Sequence, residues 1–236
     1  MAKKLLIVDG DNVLAKVLQQ SPYKDYTVAG DFFVGGVQGF LGKLRACVAL
    51  EKPARTVVVW DGGLSARRLA LYPAYREGDL ISGETATARE LYERFRRQQG
   101  FINSVVQQCL SVPVLSLKDR EARDVVALIT RSGDFEEHVI VSSNEMYRAL
   151  PKVEVLDPDQ LSHLGTTSSR ATITLCALGV RELDIPPAIE DSVSLALLET
   201  VGRAFDGEGC AQLTWHVLVG IDAFDWEEER IGHLLA

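Results

Sequence analysis

Short apolar runs rich in β-branched residues alternate along the chain with longer segments of helical spacing. Residues 3–8 form such a run, ended by Asp9-Gly10, and are expected to be a buried strand. Residues 30–50 carry Phe33, Val37, Phe40, Leu41 and Leu44 at helical spacing and predict a helix that stops before Pro53. Residues 56–60 are a second strand, ended by Asp61-Gly62-Gly63. Residues 85–99 predict an amphipathic helix, with Gly100 as its end. A weaker third strand falls at 112–117, a helix at 119–131 before Ser132-Gly133, and two more strands at 138–142 and 153–156. Strands alternating with helices predict an α/β fold, a parallel twisted sheet with helices on both faces.

The length of 236 residues suits one such domain, or one domain with a small appendage. A chain that is 47% hydrophobic and 25% charged has enough apolar side chains to fill a core, which excludes a disordered protein. No apolar run reaches the roughly 18 residues of a membrane helix. The opening segment meets Asp9 too early for a signal peptide. Cys47, Cys109, Cys176 and Cys210 lack any C-x-x-C spacing, which argues against a structural zinc or disulfide framework and makes a reducing cytoplasm the expected location.

The net charge of −8 argues against a nucleic-acid partner until it is divided. Residues 1–150 carry 20 basic and 18 acidic groups, a net of +2, and residues 151–236 carry 5 basic and 15 acidic groups, a net of −10. The objection therefore applies only to the last third. The first part also gathers Arg67, Arg68, Arg76, Arg89, Arg94, Arg96 and Arg97. Glu84, Glu90 and Glu93 are interleaved with them, so a solvated helix face and a phosphate-binding face both remain open.

Asp9 and Asp61 each directly follow a strand. In parallel sheets, sites form in the crevice beyond the carboxyl ends of the strands. Two aspartates delivered there could share a divalent ion, and Mg²⁺ favours such oxygen ligands. Asp-Gly after a strand also simply makes a turn. Glu121 and Asp124 are three residues apart at the start of a predicted helix and share one face. They would join the acidic cluster, or merely complement the helix dipole. Clustered carboxylates need a cation, because like charges at close range otherwise repel and take up protons.

Asp9-Gly10-Asp11-Asn12, Trp60-Asp61-Gly62-Gly63 running on to Leu71-Tyr72-Pro73-Ala74-Tyr75-Arg76, Glu121-Ala122-Arg123-Asp124, and the strand ending in Ser142-Ser143 together resemble the 5′-3′ exonuclease/flap endonuclease family. The order and spacing agree over about residues 3–160. The resemblance implies a PIN-like nuclease domain over residues 1–160, with residues 77–100 arching over the 5′ strand. The acidic residues 161–236 would form a small, mainly helical region, a remnant of the duplex-binding element. It implies metal-dependent hydrolysis of phosphodiesters at DNA 5′ ends, with Mg or Mn as cofactor. By position, Asp9, Asp61, Glu121 and Asp124 would be metal ligands and catalytic acids. Arg76 stands for a catalytic lysine at the scissile phosphate, and Tyr75 would stack on a base. Arg67, Arg68, Arg89, Arg94, Arg96 and Arg97 would meet phosphates.

Departures from the family pattern concentrate at the acids. The family's Glu-Ala-Asp-Asp is Glu121-Ala122-Arg123-Asp124, so a central aspartate has become a cation. Its Ser-x-Asp-x-Asp is Ser142-Ser143-Asn144-Glu145-Met146. Asn144 offers an uncharged oxygen, Met146 no hard ligand, and Glu145 is one residue out of phase. Asp11, Asn144 and Glu145 are carried as outlying positions of the set. The duplex-binding element's Gly-rich turn is also missing around Ile185-Pro186-Pro187, where Glu190-Asp191 would repel phosphate. The first metal site keeps three or four carboxylates and the second essentially none, so one ion is expected rather than two.

Three expectations follow from the resemblance and its departures. One is a divergent 5′ nuclease active on DNA in replication, recombination or repair. Another is a catalytically impaired homologue serving as a DNA- or protein-binding accessory factor, its acidic C-terminal region contacting a protein partner through Phe224, Trp226, Leu234 or Leu235. The third is a PIN/NYN-type ribonuclease, for which four acids suffice. His138, His163, His216 and His233 have no metal spacing.

Overall fold

The structure is a computed structural model that describes residues 3–28, 32–71, 86–132, 134–150 and 152–164. Expectations for Tyr75, Arg76, most of the arch and residues 165–236 lie outside the described residues.

Strand β1 (Lys4–Asp9) is the centre of the sheet. It pairs in parallel with β4 (Arg55–Val59) on one side and β6 (Glu137–Val141) on the other. Beyond β4 lies β5 (Val114–Leu115); beyond β6 lie β7 (Val153–Asp157) and β8 (Ser162–Leu164). The order is β5-β4-β1-β6-β7-β8, with β8 antiparallel to β7. The expected parallel sheet is thus mixed at one edge. A separate two-stranded ribbon pairs β2 (Thr27–Val28) with β3 (Phe32–Phe33).

The continuous apolar run of β1 follows from burial on both faces. Leu5 and Ile7 point into one core, with Val57, Val59, Val125 and Ile129. Leu6 and Val8 point into the other, with Val13, Leu14, Phe40 and Ile102. Helix α5 (Ala122–Arg131) covers the first face; α1 (Gly10–Gln19), α2 (Gly35–Glu51) and α4 (Ala86–Gln108) cover the second. Helix α3 (Ala66–Leu71) follows β4. Among the described residues, no helix is long and apolar enough to cross a membrane.

Two helices depart from the sequence reading. Asp9-Gly10 does not end in a loop: the Asp9 side chain accepts from the Asn12 N–H and caps α1, which starts at once. Helix α4 does not stop at Gly100. It continues to Gln108 because Ile102 and Val106 are fully buried, and their burial outweighs the roughly 1 kcal/mol cost of one mid-helix glycine. Two glycines serve close backbone approach at the sheet's carboxyl edge. A Cβ on Gly10 would sit 2.6 Å from the Trp60 indole, and one on Gly62 would sit 1.7 Å from the Leu117 carbonyl oxygen.

Candidate active site

Strand β1 is the point from which the chain winds first to β4 and later to β6, so the crevice beyond its carboxyl end is the switch point of the sheet. Three aspartates meet there. Asp9 ends β1 and is buried. It accepts from the Asn12 N–H at 3.2 Å and the Ser142 hydroxyl at 3.0 Å, and also from the Tyr147 hydroxyl. Burial, then the Asp61 charge, pushes its carboxyl up to about 6. Asp61 lies just beyond β4, and its Oδ1 accepts from the Ala122 N–H at 2.5 Å, tying it to the start of α5. Asp11 projects from the first turn of α1 and accepts from the Asp61 N–H at 2.5 Å. Burial and the Asp61 charge push Asp11 up to about 8. Asp11 stood at the margin of the sequence set. Its place beside Asp61 becomes visible only once α1 is known to begin at Gly10.

Glu121 and Asp124 have a different setting. Glu121 caps α5, and the two side chains form a reciprocal capping box, with the Glu121 N–H donating to Asp124 at 3.1 Å. Their exposures are 1% and 2%. Arg68, itself only 6% exposed, grips Asp124 with two N–H donors at 2.5 and 3.0 Å and reaches Glu121 at 3.2 Å. Arg123 meets the other Glu121 oxygen at 2.6 Å and turns its second arm to the Met146 sulfur at 3.6 Å. Burial raises the Asp124 carboxyl and Arg68 pulls it back. Arg68, expected at a DNA phosphate, is instead a buried counterion, because α3 lays it against the first turn of α5.

The end of β6 is drawn inward by Asn12, whose carbonyl oxygen accepts from the Ser143 N–H at 2.9 Å and hydroxyl at 3.0 Å. Asn144, expected to offer an oxygen to a metal, uses that oxygen to cap the 3₁₀ turn Glu145–Ala149, accepting from the Met146 N–H at 3.0 Å. The side chains of Glu145 and Arg67 lie outside the described residues. Tyr147 is a site residue that the sequence did not signal. It is buried, and its hydroxyl is held well above its usual range by burial and by Asp9.

Helix α4 carries the remaining arginines. Arg89, Arg96 and Arg97 are exposed, whereas Arg94 lies over the Phe33 ring at 3.5 Å. A cleft of about 530 Å³ separates this helix from the aspartates. Asp11, Asp61 and the Gly62-Gly63 turn form one side, Tyr92, Phe95 and Arg96 the other, and Ser116 and Lys118 also line it.

The donor set does not fit a resident metal pair. Among the described residues, no three His, Cys, Asp or Glu side chains are arranged to hold an ion. The hydrogen bonds give the reason. Asp9 is turned toward Asn12, Ser142 and Tyr147, and Glu121 and Asp124 toward two guanidinium groups.

A mostly parallel sheet with its acids at one switch-point crevice is the PIN-like nuclease architecture. The family model for the 5′-3′ exonuclease N-terminal resolvase-like domain matches residues 4–171, and the chain belongs to that family of DNA nucleases. Solved structures agree on the fold. A bacteriophage T5 protein co-crystallised with metal ions superposes with a TM-score of 0.70 at 14% identity, covering 93% of this chain and 89% of that one. The bacteriophage T5 flap endonuclease in a complex with DNA and metal ions gives 0.68 at 15% identity, over 98% and 87%. Flap endonuclease-1 from Methanococcus jannaschii gives 0.54 at 14% identity, over 98% and 78%.

Proposed function

We propose that this chain is a catalytically impaired nuclease homologue that binds DNA 5′ ends along the carboxyl edge of its sheet. The observation that carries the reading is the pair of guanidinium groups, Arg68 and Arg123, closed on Glu121 and Asp124. Positive charge that a nuclease would take from a divalent ion is here supplied by the chain. A guanidinium neutralises carboxylates, but it has no empty orbital to coordinate water and cannot bring a water's pKa down to near neutrality, which is the metal's main service to hydrolysis. DNA binding draws on the exposed Arg89, Arg96 and Arg97 of α4 and on the net of +2 over residues 1–150. In this reading the acidic residues 161–236 face a protein partner rather than a duplex.

The test uses the full chain with 5′-labelled flap and single-stranded DNA in Mg²⁺ or Mn²⁺. Salt-sensitive binding is expected, with cleavage no faster than that of the Asp61→Ala variant. Cleavage that needs the metal and disappears in Asp61→Ala would sink the reading.

A second reading, a slow one-ion 5′ nuclease, is favoured by the mutual repulsion of Asp9, Asp11 and Asp61. One Mg²⁺ or Mn²⁺ bound there would relieve it. Calorimetric titration separates the two: one ion bound in the wild type and lost in Asp61→Ala supports the second.

A further inference from the structure

Asp9 is the acid that the two arginines do not reach. It is 5% exposed, and three donors hold it: the Asn12 N–H at 3.2 Å, the Ser142 hydroxyl at 3.0 Å and the Tyr147 hydroxyl. A carboxylate offers about four lone-pair sites, so an ion taking up Asp9 has to displace a donor.

The three donors differ in how readily they yield. The Asn12 N–H belongs to the first turn of α1 and stays wherever that helix forms. Ser142 has a short side chain that turns about one bond, and its oxygen already accepts from the Asn144 N–H at 3.1 Å, so it keeps a partner without Asp9. Tyr147 has no such freedom. Its ring is 3% exposed and belongs to the same core as Val125, Ile129, Ile140 and Val155. The 3₁₀ turn that carries it is closed by the Asn144 cap on the Met146 N–H and by the Tyr147 N–H donating to the Asn144 carbonyl at 3.3 Å. Arg123 meets the Met146 sulfur from the side of α5. Moving the phenol off Asp9 therefore disturbs packed core, and a buried hydroxyl parted from its acceptor finds no water in exchange. A phenol also answers a carboxylate without bringing the coordinated water that a divalent ion carries.

We propose that Tyr147 is a positioning residue, a latch that keeps Asp9 from serving a divalent ion. The proposal rests on the impaired-nuclease reading above and deepens it, because it assigns the exclusion of the ion at Asp9 to one side chain outside the arginine pair.

The experiment measures Mn²⁺ binding to the full chain by electron paramagnetic resonance, and the shift of the thermal midpoint with millimolar Mn²⁺. The wild type should bind no ion and show no shift. Tyr147→Phe keeps the ring in the core and removes only the hydroxyl. It should bind one Mn²⁺ at least about ten-fold more tightly than the wild type, and Mn²⁺ should raise its midpoint. Adding Asp9→Asn should abolish both effects. Ser142→Ala, which leaves the phenol in place, should stay free of the ion. A folded Tyr147→Phe that binds no ion would overturn the latch while leaving the impaired-nuclease reading intact. Equal binding gained in Ser142→Ala would overturn it as well, since any donor to Asp9 would then do the same. A Tyr147→Phe that fails to fold would make the hydroxyl a requirement of the core and would likewise overturn it. A wild type that binds an ion lost in Asp9→Asn would overturn both the latch and the reading beneath it.

Discussion

Replacing Arg68 by Met removes the guanidinium that joins α3 to α5 while keeping most of its apolar bulk. Asp124 then loses both of its Arg68 contacts, at 2.5 and 3.0 Å, and Glu121 loses one of its two guanidinium partners while keeping Arg123 and the Ser65 N–H. Both carboxylates are almost fully buried, so water cannot take over. Breaking a buried pair from one side costs about 3–5 kcal/mol, chiefly through the charge left behind. Arg123 still serves Glu121, which places the expected loss near the lower end, about 3 kcal/mol. With a urea slope of about 3 kcal/mol/M for a chain of this size, the midpoint should fall by about 1 M. Burial already raises the Asp124 carboxyl, and removing Arg68 raises it further. A carboxyl raised in the folded state stabilises the fold in acid and loses that contribution as pH rises. The deficit should therefore be smallest in mild acid and grow toward pH 8. Arg68→Met combined with Asp124→Asn should recover most of it. Millimolar Mg²⁺ should partly rescue Arg68→Met while leaving the wild-type midpoint unmoved. A loss below about 1 kcal/mol at neutral pH, or no recovery in the double variant, would refute the assignment of Arg68 as the resident counterion.

Asp11 sits at about 8 in the fold against an ordinary 3.8, so its contribution to stability is present below pH 4 and lost as pH rises through 8. Asp11→Asn should match the wild-type Tm near pH 4 and exceed it by pH 9; an equal difference at both would count against the repulsion. Gly10→Ala pushes a methyl to within 2.6 Å of the Trp60 ring and should cost about 1–3 kcal/mol, with a changed Trp near-UV signal. Gly100→Ala has open space around the added methyl inside α4 and should stabilise by up to about 1 kcal/mol; destabilisation would mean that the helix breaks there after all.

Local patterning carried much of the fold. The apolar run before Asp9 reads as a buried strand, and the position of Asp61 after the next such run is consistent with delivery to the same edge of a parallel sheet, where the structure places both. Helix ends were less legible. Gly100 is a stop signal by composition, yet Ile102 and Val106 override it from the core. The short β8 gives no apolar alternation of its own. It exists because β7 offers an unpaired edge, and because His163 reaches Glu51 of α2 at 2.8 Å.

At the site, the sequence by itself determined which charged and polar side chains are available, with Arg123, Asn144 and Met146 at fixed offsets from Glu121 and Ser142. Which of these charges meet was decided only in three dimensions. Arg68 and Asp124 are 56 residues apart, and Ser142 and Asp9 are 133 apart. Crossovers over the sheet bring these partners together, and no spacing rule encodes such a meeting. The same geometry moved Arg68 from the surface, where a cation in a helix is expected, to the interior beside two carboxylates. A side chain's charge is written in the sequence, but the charges it answers are set by the packing around it.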